Sequence, residues 1–335
     1  MVGYAFSLIT DHRSLFKESI RMQRKSYYFM ILMVFVIVSL VVSNCFAEIP
    51  DKIGTQDAAF LKIEPATRPV AMGGAYTGLA NDVNAIFWNP AGLTQVEKKE
   101  LTTMYNRWLA NIRYGSFAYA QNVGKGATIG VCAQGLWTDI EERTEDTPEP
   151  ESNKTVYAYA AGLSGSYALV PNAFSLGGTV KFLNQEFDVD NSNGLCADFG
   201  GLIHLLGLRL GLSVQNIKLQ MSNEADLPTC IRFGGSYQID KYLVLAGEYS
   251  KYGVSEPSYH LGIEKWFYGM FAIRLGYNIS SGDNPNKGLS AGIGLRGYGT
   301  KPLENMDFQL DYAYVPAPDW GSLGDTHRIS MLVRF

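Results

Sequence analysis

The segment Leu206-Gly-Leu-Arg-Leu-Gly-Leu-Ser-Val214 decides the fold class of the chain, because every second residue in it is apolar. Glycine, arginine and serine occupy the positions in between. Successive side chains of a β-strand point to opposite faces, so the segment predicts a strand with one apolar face and one polar or small face. The same period of two recurs from about residue 101 to Phe335, and it predicts an all-β protein.

Strand length and the residues on the polar face favour a membrane barrel over a soluble sandwich, which alternates in the same way. The strands approach the roughly 9–11 residues that a tilted strand needs to cross a bilayer. Arginines and acidic residues recur on the face opposite the apolar one, as in Phe271–Ser280 with Arg274. This is expected of strands that line a water-filled lumen. About fourteen such segments occupy residues 99–335. We therefore predict a transmembrane antiparallel β-barrel of about 14 strands.

The connections and the C-terminus indicate where such a barrel resides. Short connections such as Leu169–Asn172 alternate with longer ones such as Thr138–Lys154. Short periplasmic turns and longer outer loops are typical of outer-membrane barrels. The chain ends in the alternating segment Ile329–Phe335, whose terminal aromatic resembles the assembly signal of bacterial outer-membrane barrels. These features predict a multi-pass barrel in the bacterial outer membrane.

Two local features refine this prediction. Trp266-Phe-Tyr268 lies near a strand end and predicts part of an interfacial aromatic girdle. In residues 112–122 the apolar positions change phase between Tyr114 and Phe117. Such a change predicts a bulge or kink in that strand.

The first 47 residues have the pattern of a targeting segment. Arg21, Arg24 and Lys25 precede an apolar run over residues 29–42, and the small residue Ala47 follows it. This order predicts a cleavable signal peptide over residues 1–47, with Met22 as an alternative start. A membrane anchor and a lipoprotein cleavage before Cys45 are the alternatives.

The cysteines and histidines show no catalytic or metal-ligating pattern. Cys132, Cys196 and Cys230 are far apart and odd in number, so one disulfide or three buried thiols are both open. His204, His260 and His327 are isolated and are expected to lie in the lumen or at an interface. No serine has the context of a hydrolase nucleophile. We predict neither an enzyme nor a metal site, and no cofactor.

Two further motifs have ordinary explanations. Gly292-Ile-Gly-Leu-Arg-Gly297 matches a dinucleotide fingerprint, but it lies inside an alternating strand, where lumen-facing glycines make room for a plug. The acidic stretch Glu141–Glu151 lacks the spacing of a calcium loop, which favours a solvated outer loop. The net charge is −4 and there is no basic stripe, so a nucleic-acid partner is not expected.

The stretch Ala71–Leu93 differs from everything after it. It has neither a period of two nor an apolar helical stripe, and small residues dominate it. Ile86, Phe87 and Trp88 precede an Asn-Pro-Ala-Gly turn. We interpret this stretch as a compact insert that packs inside the barrel, within an N-terminal hatch segment over residues 48–98.

Five segments resemble the PorV/PorQ family of FadL-like outer-membrane proteins, relatives of the long-chain fatty acid transporter. They are Gly54–Ile63, Arg68–Tyr76, Asn81–Leu93, Asp311–Pro316 and Leu323–Ser330. The resemblance implies a fourteen-stranded barrel with a hatch in its lumen, and it places the Asn-Pro-Ala motif of FadL-type transporters on Asn89, Pro90 and Ala91. The outer loops here are shorter than those that build the substrate groove of the fatty acid transporter.

The resemblance also implies a function. FadL-type transporters capture hydrophobic ligands outside, pass them through the barrel and release them sideways near a kinked strand, without covalent chemistry. We expect passive transport of a hydrophobic small molecule, a long-chain fatty acid first, through a barrel in contact with outer-membrane lipid. Other members act as partners of secreted or surface proteins, which is the alternative function. The expected hatch and gating residues are Gly73, Gly74, Asp82, Asn84, Asn89, Pro90, Ala91 and Gly92, and the expected ligand contacts are Ile86, Phe87 and Trp88.

Overall fold

The computed structural model describes residues 57–108, 112–142, 152–187, 190–253, 255–280, 287–301, 303–316 and 325–335. The predicted signal peptide over residues 1–47 and the first part of the predicted hatch segment lie outside the described residues. So does most of the acidic stretch considered for calcium. Among the described residues, no helix is both long and apolar enough to cross a bilayer.

Fourteen strands make up the main structure. They are β1 (Lys99–Arg107), β2 (Arg113–Gly124), β3 (Ala127–Glu142), β4 (Ser152–Val170), β5 (Phe174–Phe187), β6 (Asp190–Leu205), β7 (Leu208–Met221), β8 (Cys230–Asp240), β9 (Leu243–Tyr252), β10 (Ser258–Phe267), β11 (Phe271–Ser280), β12 (Gly288–Tyr298), β13 (Asp307–Val315) and β14 (Thr326–Arg334). Each strand pairs with its sequence neighbours, and β1 pairs with β14 in an antiparallel register that sets Tyr105 opposite Ile329. The sheet is a closed barrel without edges, as the sequence predicts.

The distribution of polar and apolar side chains is the reverse of that in a soluble protein. Leu163, Phe199 and Leu275 are 70%, 58% and 47% exposed on the outside of the barrel. Arg274 and Arg328 are fully buried inside it. An apolar exterior around a polar lumen is the arrangement of a transmembrane barrel, so the strands cross a membrane.

The two ends of the barrel differ in their connections. At one end, which we call the turn end, two- or three-residue turns make five of the six connections, as between β6 and β7 at Leu206-Gly207, and residues 299–306 join β12 to β13. The barrel also begins and ends there, and Lys99 and Phe335 exchange backbone hydrogen bonds of 3.1 and 3.0 Å. The other end, which we call the outer-loop end, carries the connections from each odd-numbered strand to the next even-numbered one, from β1–β2 to β13–β14. By the rule for outer-membrane barrels the turn end faces the periplasm.

The predicted kink in residues 112–122 is wrong. The pairing of β1 with β2 runs without interruption from Arg107 opposite Arg113 to Lys99 opposite Gln121. Tyr114 changes the apolar phase because its ring points into the lumen, where its hydroxyl donates to the Ile63 carbonyl oxygen at 3.0 Å. A tyrosine with a polar partner can face inwards, so no bulge is needed.

Within the wall the pairing is irregular between β6 and β7, whereas the register shifts in the β2–β3, β4–β5 and β8–β9 pairs lie next to turns. The β6–β7 register shifts twice, once between Leu195 and Cys196 and again between Ala197 and Phe199. Asn216 of β7 adopts a left-handed backbone conformation with φ 57°. Such irregular positions bend a strand and disrupt its ladder. We call this place the β6–β7 interruption.

The predicted aromatic girdle is only partly correct at Trp266. Strand alternation sends the Trp266 ring into the lumen beside Glu264, where the Arg296 guanidinium lies 4.6 Å from the ring centroid. Phe267 and Tyr268 are 41% and 90% exposed. Consecutive strand residues cannot share one face, so three adjacent aromatics cannot all join a girdle.

Candidate functional site: the hatch and the lumen

The described part of the predicted hatch, residues 57–98, fills the lumen, and we call it the hatch. It contains the α-helix α1 (Thr67–Ala71) and 3₁₀ helices over Ala59–Lys62, Val83–Phe87 and Pro90–Gln95. Its first described residue, Asp57, donates its backbone N–H to Asp226 O at 2.9 Å in the β7–β8 connection at the outer-loop end. The chain then descends to β1 at the turn end, so the hatch runs through the barrel from one end to the other.

Gly73 and Gly74 make the sharp turn after α1, with φ of 68° and 88° that favour glycine. The turn is fastened to the wall. His260 Nδ1 lies 2.6 Å from the Gly73 carbonyl oxygen, and the Gly73 N–H donates to Ser290 Oγ at 3.1 Å. A carbonyl oxygen only accepts, so His260 carries its proton on Nδ1 here. Both predicted glycines therefore lie where hatch backbone touches barrel wall.

Glycines in the wall let the hatch backbone come into direct contact with the strands. A Cβ added to Gly276 would lie 1.9 Å from the Gly73 nitrogen, and one added to Gly200 would lie 2.0 Å from Asn89 Oδ1. Gly177 and Gly292 face the hatch in the same way. The lumen-facing glycines of the false dinucleotide motif thus make room for the hatch and for inward side chains.

Arg68 is the central ionic contact between hatch and wall. Its Nε and Nη2 donate to the two carboxylate oxygens of Glu264 at 2.8 and 2.7 Å. Its Nη1 forms an ion pair of 2.7 Å with Asp82 inside the hatch. The Arg68 side chain is only 7% exposed. Bidentate geometry fixes orientation as well as charge, so Arg68 sets the position of α1 against β10.

The network continues through the wall beyond Glu264. Glu264 Oε2 also pairs with Arg274 Nε at 2.6 Å, and Arg274 Nη1 pairs with Asp311 at 2.7 Å. Removing one member of such a buried chain leaves an uncompensated charge and typically costs about 3–5 kcal/mol. The hatch is therefore part of a charge network that spans β10, β11 and β13.

Asp82 and Asn84 shape the start of the second 3₁₀ helix. Asp82 Oδ1 accepts the Asn84 N–H at 2.9 Å, which caps Val83–Phe87. Burial raises the pKa of Asp82, but the positive charges of Arg68 and Arg334 outweigh burial, and the pKa is lowered overall. Asn84 contributes its backbone to this cap, and its side chain is buried.

Glu248 and Arg232 form a second anchor that the sequence did not indicate. Glu248 Oε2 accepts the N–H groups of Tyr76 and Thr77 at 2.9 and 2.7 Å. Arg232 pairs with Glu248 at 2.8 Å, and its guanidinium lies 5.8 Å from the Trp88 ring centroid. Both charges are isolated in sequence. The alternation of their strands predicts only that they face inwards.

The Asn-Pro-Ala-Gly turn locks the hatch to β6. Asn89 Nδ2 donates to the carbonyl oxygens of Thr77 and Gly201, each at 3.0 Å. Asn89 Oδ1 accepts the Ala91 N–H at 3.2 Å and so caps the 3₁₀ helix that begins at Pro90. A Cβ on Gly92 would lie 2.1 Å from the Ala80 carbonyl oxygen. The side-chain amide of Asn89 therefore hydrogen-bonds backbone groups of the hatch and of the wall.

The residues expected to contact a ligand pack against protein in this structure. Trp88 is 1% exposed, donates Nε1–H to the Gly74 carbonyl oxygen at 3.2 Å and meets the Tyr76 ring edge-on at 6.0 Å. Ile86 is 1% exposed, and Phe87 is half-buried. All three border a small cavity in the lumen. A role in ligand contact stays a prediction for each of them.

That cavity lies directly behind the β6–β7 interruption. Asp198 Oδ1 accepts the Asn216 N–H at 2.8 Å and pairs with Lys181 Nζ at 2.8 Å. Lys181 also donates to Asn216 Oδ1 at 2.6 Å, and Thr229 Oγ1 donates to the Asn216 carbonyl oxygen at 3.0 Å. Side chains here replace ladder hydrogen bonds between strands. These four side chains bridge the gap in a ladder that pairs Ala197 with Ile217 on one side and Phe199 with Val214 on the other.

A larger cavity of about 670 Å³ opens at the turn end. Arg68, Lys98, Glu100 and Arg334 are among the charged side chains that line it, and Trp266 lies at its wall. Such a lining suits water rather than an apolar ligand. We call this cavity on the periplasmic side of the hatch the aqueous vestibule.

The isolated cysteines and histidines have structural positions. Cys132, Cys196 and Cys230 are buried free thiols, which selects one of the two alternatives open in the sequence. His204 and His260 lie in the lumen beside the hatch, and His327 lies on the outside. The described residues contain no group of three or more potential metal ligands.

Comparison with known proteins identifies solved structures that share this architecture. No protein-family model matches the sequence, and no curated protein is significantly similar to it. A FadL homologue from Pseudomonas aeruginosa aligns with a TM-score of 0.54 and 11% identity, over 80% of this chain and 97% of that one. The Pseudomonas putida toluene transporter TodX aligns with a TM-score of 0.53 and 13% identity, over 81% and 97%. A TodX variant described as a monoaromatic hydrocarbon channel aligns with a TM-score of 0.55 and 12% identity, over 82% and 100%.

The shared property is the fold. This chain is a multi-pass outer-membrane β-barrel with the architecture of FadL-type barrels. The barrel agrees with that architecture, whereas at these identities individual site residues cannot be transferred.

Proposed function

We propose that this protein is a passive outer-membrane transporter for hydrophobic molecules, with long-chain fatty acids as the first candidates. The proposal rests on a hatch that fills the lumen of a FadL-type barrel and borders, at Ile86, Phe87 and Trp88, a cavity behind an interruption of the wall. Two of the similar structures are described as a toluene transporter and a hydrocarbon channel, which supports the class of ligand. The resemblance to the PorV/PorQ family supports the same superfamily.

Capture would begin at the outer-loop end, where the lumen wall is apolar. Phe60 and Leu61 of the hatch are buried there against Leu183 and Leu227, and partly buried Met221 packs on the same cluster. An apolar chain that displaced Phe60 and Leu61 would find the same surface. Burying one such side chain is worth about 1.5–3 kcal/mol, so the exchange of a side chain for a ligand segment is nearly balanced.

Release would be lateral, through the β6–β7 interruption. Asp198, Lys181 and Asn216 bridge the gap in the ladder there, and the cavity lined by Trp88 lies behind it. The aqueous vestibule at the turn end does not suit an apolar ligand, which favours a sideways exit into lipid. The proposed exit therefore lies at the β6–β7 interruption and not at the strand over residues 112–122, whose pairing with β1 is continuous.

The direct test is uptake of radiolabelled oleate into liposomes that carry the purified barrel. We expect uptake well above that of liposomes without protein. A second measurement uses the variant D198N, which lacks the charge that holds Lys181 at the interruption. We expect oleate uptake by D198N to exceed that of the native chain. Uptake equal to that of empty liposomes, for the native chain and for D198N alike, would contradict transport.

A second function is favoured by how firmly the hatch is held. Its ion pairs and glycine contacts fasten it on several strands, and the resemblance includes members that act as partners of secreted or surface proteins. Affinity capture from solubilised membranes separates the two functions. A stoichiometric protein partner without bound lipid would favour the partner role, and copurified fatty acid would favour transport.

A further inference from the structure

The aqueous vestibule is lined by three arginines, and one of them, Arg296 of β12, has no carboxylate partner among the described residues. Its Nη2 donates to Gln309 Oε1 at 3.0 Å, and its guanidinium lies 4.6 Å from the centroid of the Trp266 ring. The Tyr298 hydroxyl is also close to it. All of these partners are uncharged, and Arg296 Nε is buried without a hydrogen-bond partner.

The other two arginines of the vestibule are neutralised by the protein itself. Arg68 forms its ion pair with Glu264, and Arg334 Nε pairs with Glu100 at 3.1 Å. The charge of Arg296 is therefore the one that borders the cavity without an acidic partner.

Gln309 draws Arg296 and Arg334 towards one point. The Gln309 side chain is fully buried, and its Nε2 donates to Asp311 Oδ2 at 2.8 Å. A carboxylate accepts hydrogen bonds, so this contact fixes which way the amide points and turns Oε1 towards the two arginines. Arg296 Nη2 and Arg334 Nη1 donate to that oxygen at 3.0 and 3.2 Å. Two guanidinium groups thus converge on one neutral acceptor at the wall of the cavity.

The geometry leaves both orientation and space for a ligand. Stacking on Trp266 holds the plane of the Arg296 guanidinium, and a fixed guanidinium plane favours bidentate contacts with an oxyanion. Neither Gln309 nor Glu100 uses Arg334 Nη2. The cavity of about 670 Å³ lies within the range of small-molecule sites. Its charged lining suits a polar ligand.

The remaining charges of the vestibule are mixed in sign. The exposed lysines Lys98 and Lys241 are accompanied by the exposed glutamates Glu97 and Glu304. Asp307 of β13 also lines the cavity and forms no ion pair among the described residues. A rim of this kind does not attract anions by its net charge, so selectivity for an anion has to come from Arg296.

We propose that Arg296 and Arg334 bind the carboxylate or phosphate group of a small polar molecule that enters the vestibule from the periplasm. Both groups match the fork of donors that arginine presents. The anion would give Arg296 the ionic partner that Gln309 does not supply. This inference concerns the periplasmic face of the hatch and does not depend on transport of a hydrophobic molecule.

The test is calorimetric titration of the detergent-solubilised full chain with glycerol 3-phosphate and with succinate, at low salt because salt screens exposed charges. We expect the chain to bind at least one of them, and the tighter ligand identifies the preferred group. Hydrogen bonds to a charged group are strong enough that R296Q should bind about tenfold more weakly or worse. R296K keeps the charge but loses the fork, so its affinity should lie in between. D307N removes a competing carboxylate and should bind more tightly.

The matched control is K241Q, which removes a positive charge from the same vestibule but leaves Gln309 and its two arginines intact. It should bind as the native chain does. Heat-dependent mobility in gel electrophoresis establishes that each variant is folded. Failure of the native chain to bind either probe would overturn the proposal. So would equal affinities of R296Q and the native chain, or an equal loss in K241Q.

Discussion

Arg68 of the hatch and Glu264 of β10 form a bidentate ion pair inside the barrel, with N–O distances of 2.8 and 2.7 Å. The same glutamate also holds Arg274, so the hatch and the wall share one carboxylate. A plug attached in this way can move only if that pair is broken or replaced. The ion pair therefore links the stability of the closed state to any opening.

Replacing Arg68 by alanine should release the hatch without destroying the barrel. It leaves Glu264 and Asp82 short of a buried cation, which typically costs about 3–5 kcal/mol. We expect a lower temperature of hatch unfolding and protease cleavage within residues 57–98. Lys265→Ala is the matched control, because Lys265 pairs with Asp240 on the exposed surface at 3.2 Å. An exposed pair contributes about 0–1 kcal/mol. Equal effects of the two variants would contradict the role of Arg68.

A methyl group added to the wall should push the hatch away. In Gly276→Ala the new Cβ would lie 1.9 Å from the Gly73 nitrogen, and overpacking typically costs about 1–3 kcal/mol. Gly165→Ala on β4 is the control, since no atom lies within 4 Å of its Cβ position. We expect faster amide exchange around Gly73 in the first variant only. Unchanged exchange in Gly276→Ala would show that the close approach is not rigid.

Asn89→Ala should weaken the turn that fixes the hatch to β6. It removes hydrogen bonds to Thr77, Gly201 and Ala91 and leaves buried backbone groups unsatisfied. Each unsatisfied group costs about 1–3 kcal/mol. In planar bilayers we expect more frequent conductance steps than for the native chain. A silent Asn89→Ala channel that is folded normally would contradict a fastening role for this amide.

The barrel could be predicted from the sequence because its physical rule is local. A strand with one face in lipid and one in a wet lumen must alternate apolar with polar or small residues, as Phe271–Ser280 does. Each strand shows this pattern independently of the others. The lumen glycines could be anticipated for the same reason. Strand number and approximate boundaries follow from the same pattern.

The errors have the same physical origin. Alternation predicts which face of the sheet a side chain occupies, but not which residue it contacts. The inward-facing Tyr114 was therefore interpreted as a kink, and the inward-facing Trp266 as a girdle residue. The β6–β7 interruption depends on Asp198 meeting Asn216, which are 18 residues apart. The Arg68–Glu264 pair joins residues 196 positions apart. Such contacts are set by the closed barrel, and no periodicity records them.

The most direct test of the central claim is to lock the hatch and measure transport. Asn89 and Gly200 are suited to this, because the Gly200 Cβ position lies 3.1 Å from Asn89 Cγ. In N89C/G200C the two thiols can form a disulfide between hatch and wall. We predict that oleate uptake into liposomes falls to the level of empty liposomes when this pair is oxidised and returns on reduction, while N89C alone does not respond. Equal uptake in the oxidised and reduced states, with the disulfide fully formed, would contradict a hatch that must move for transport.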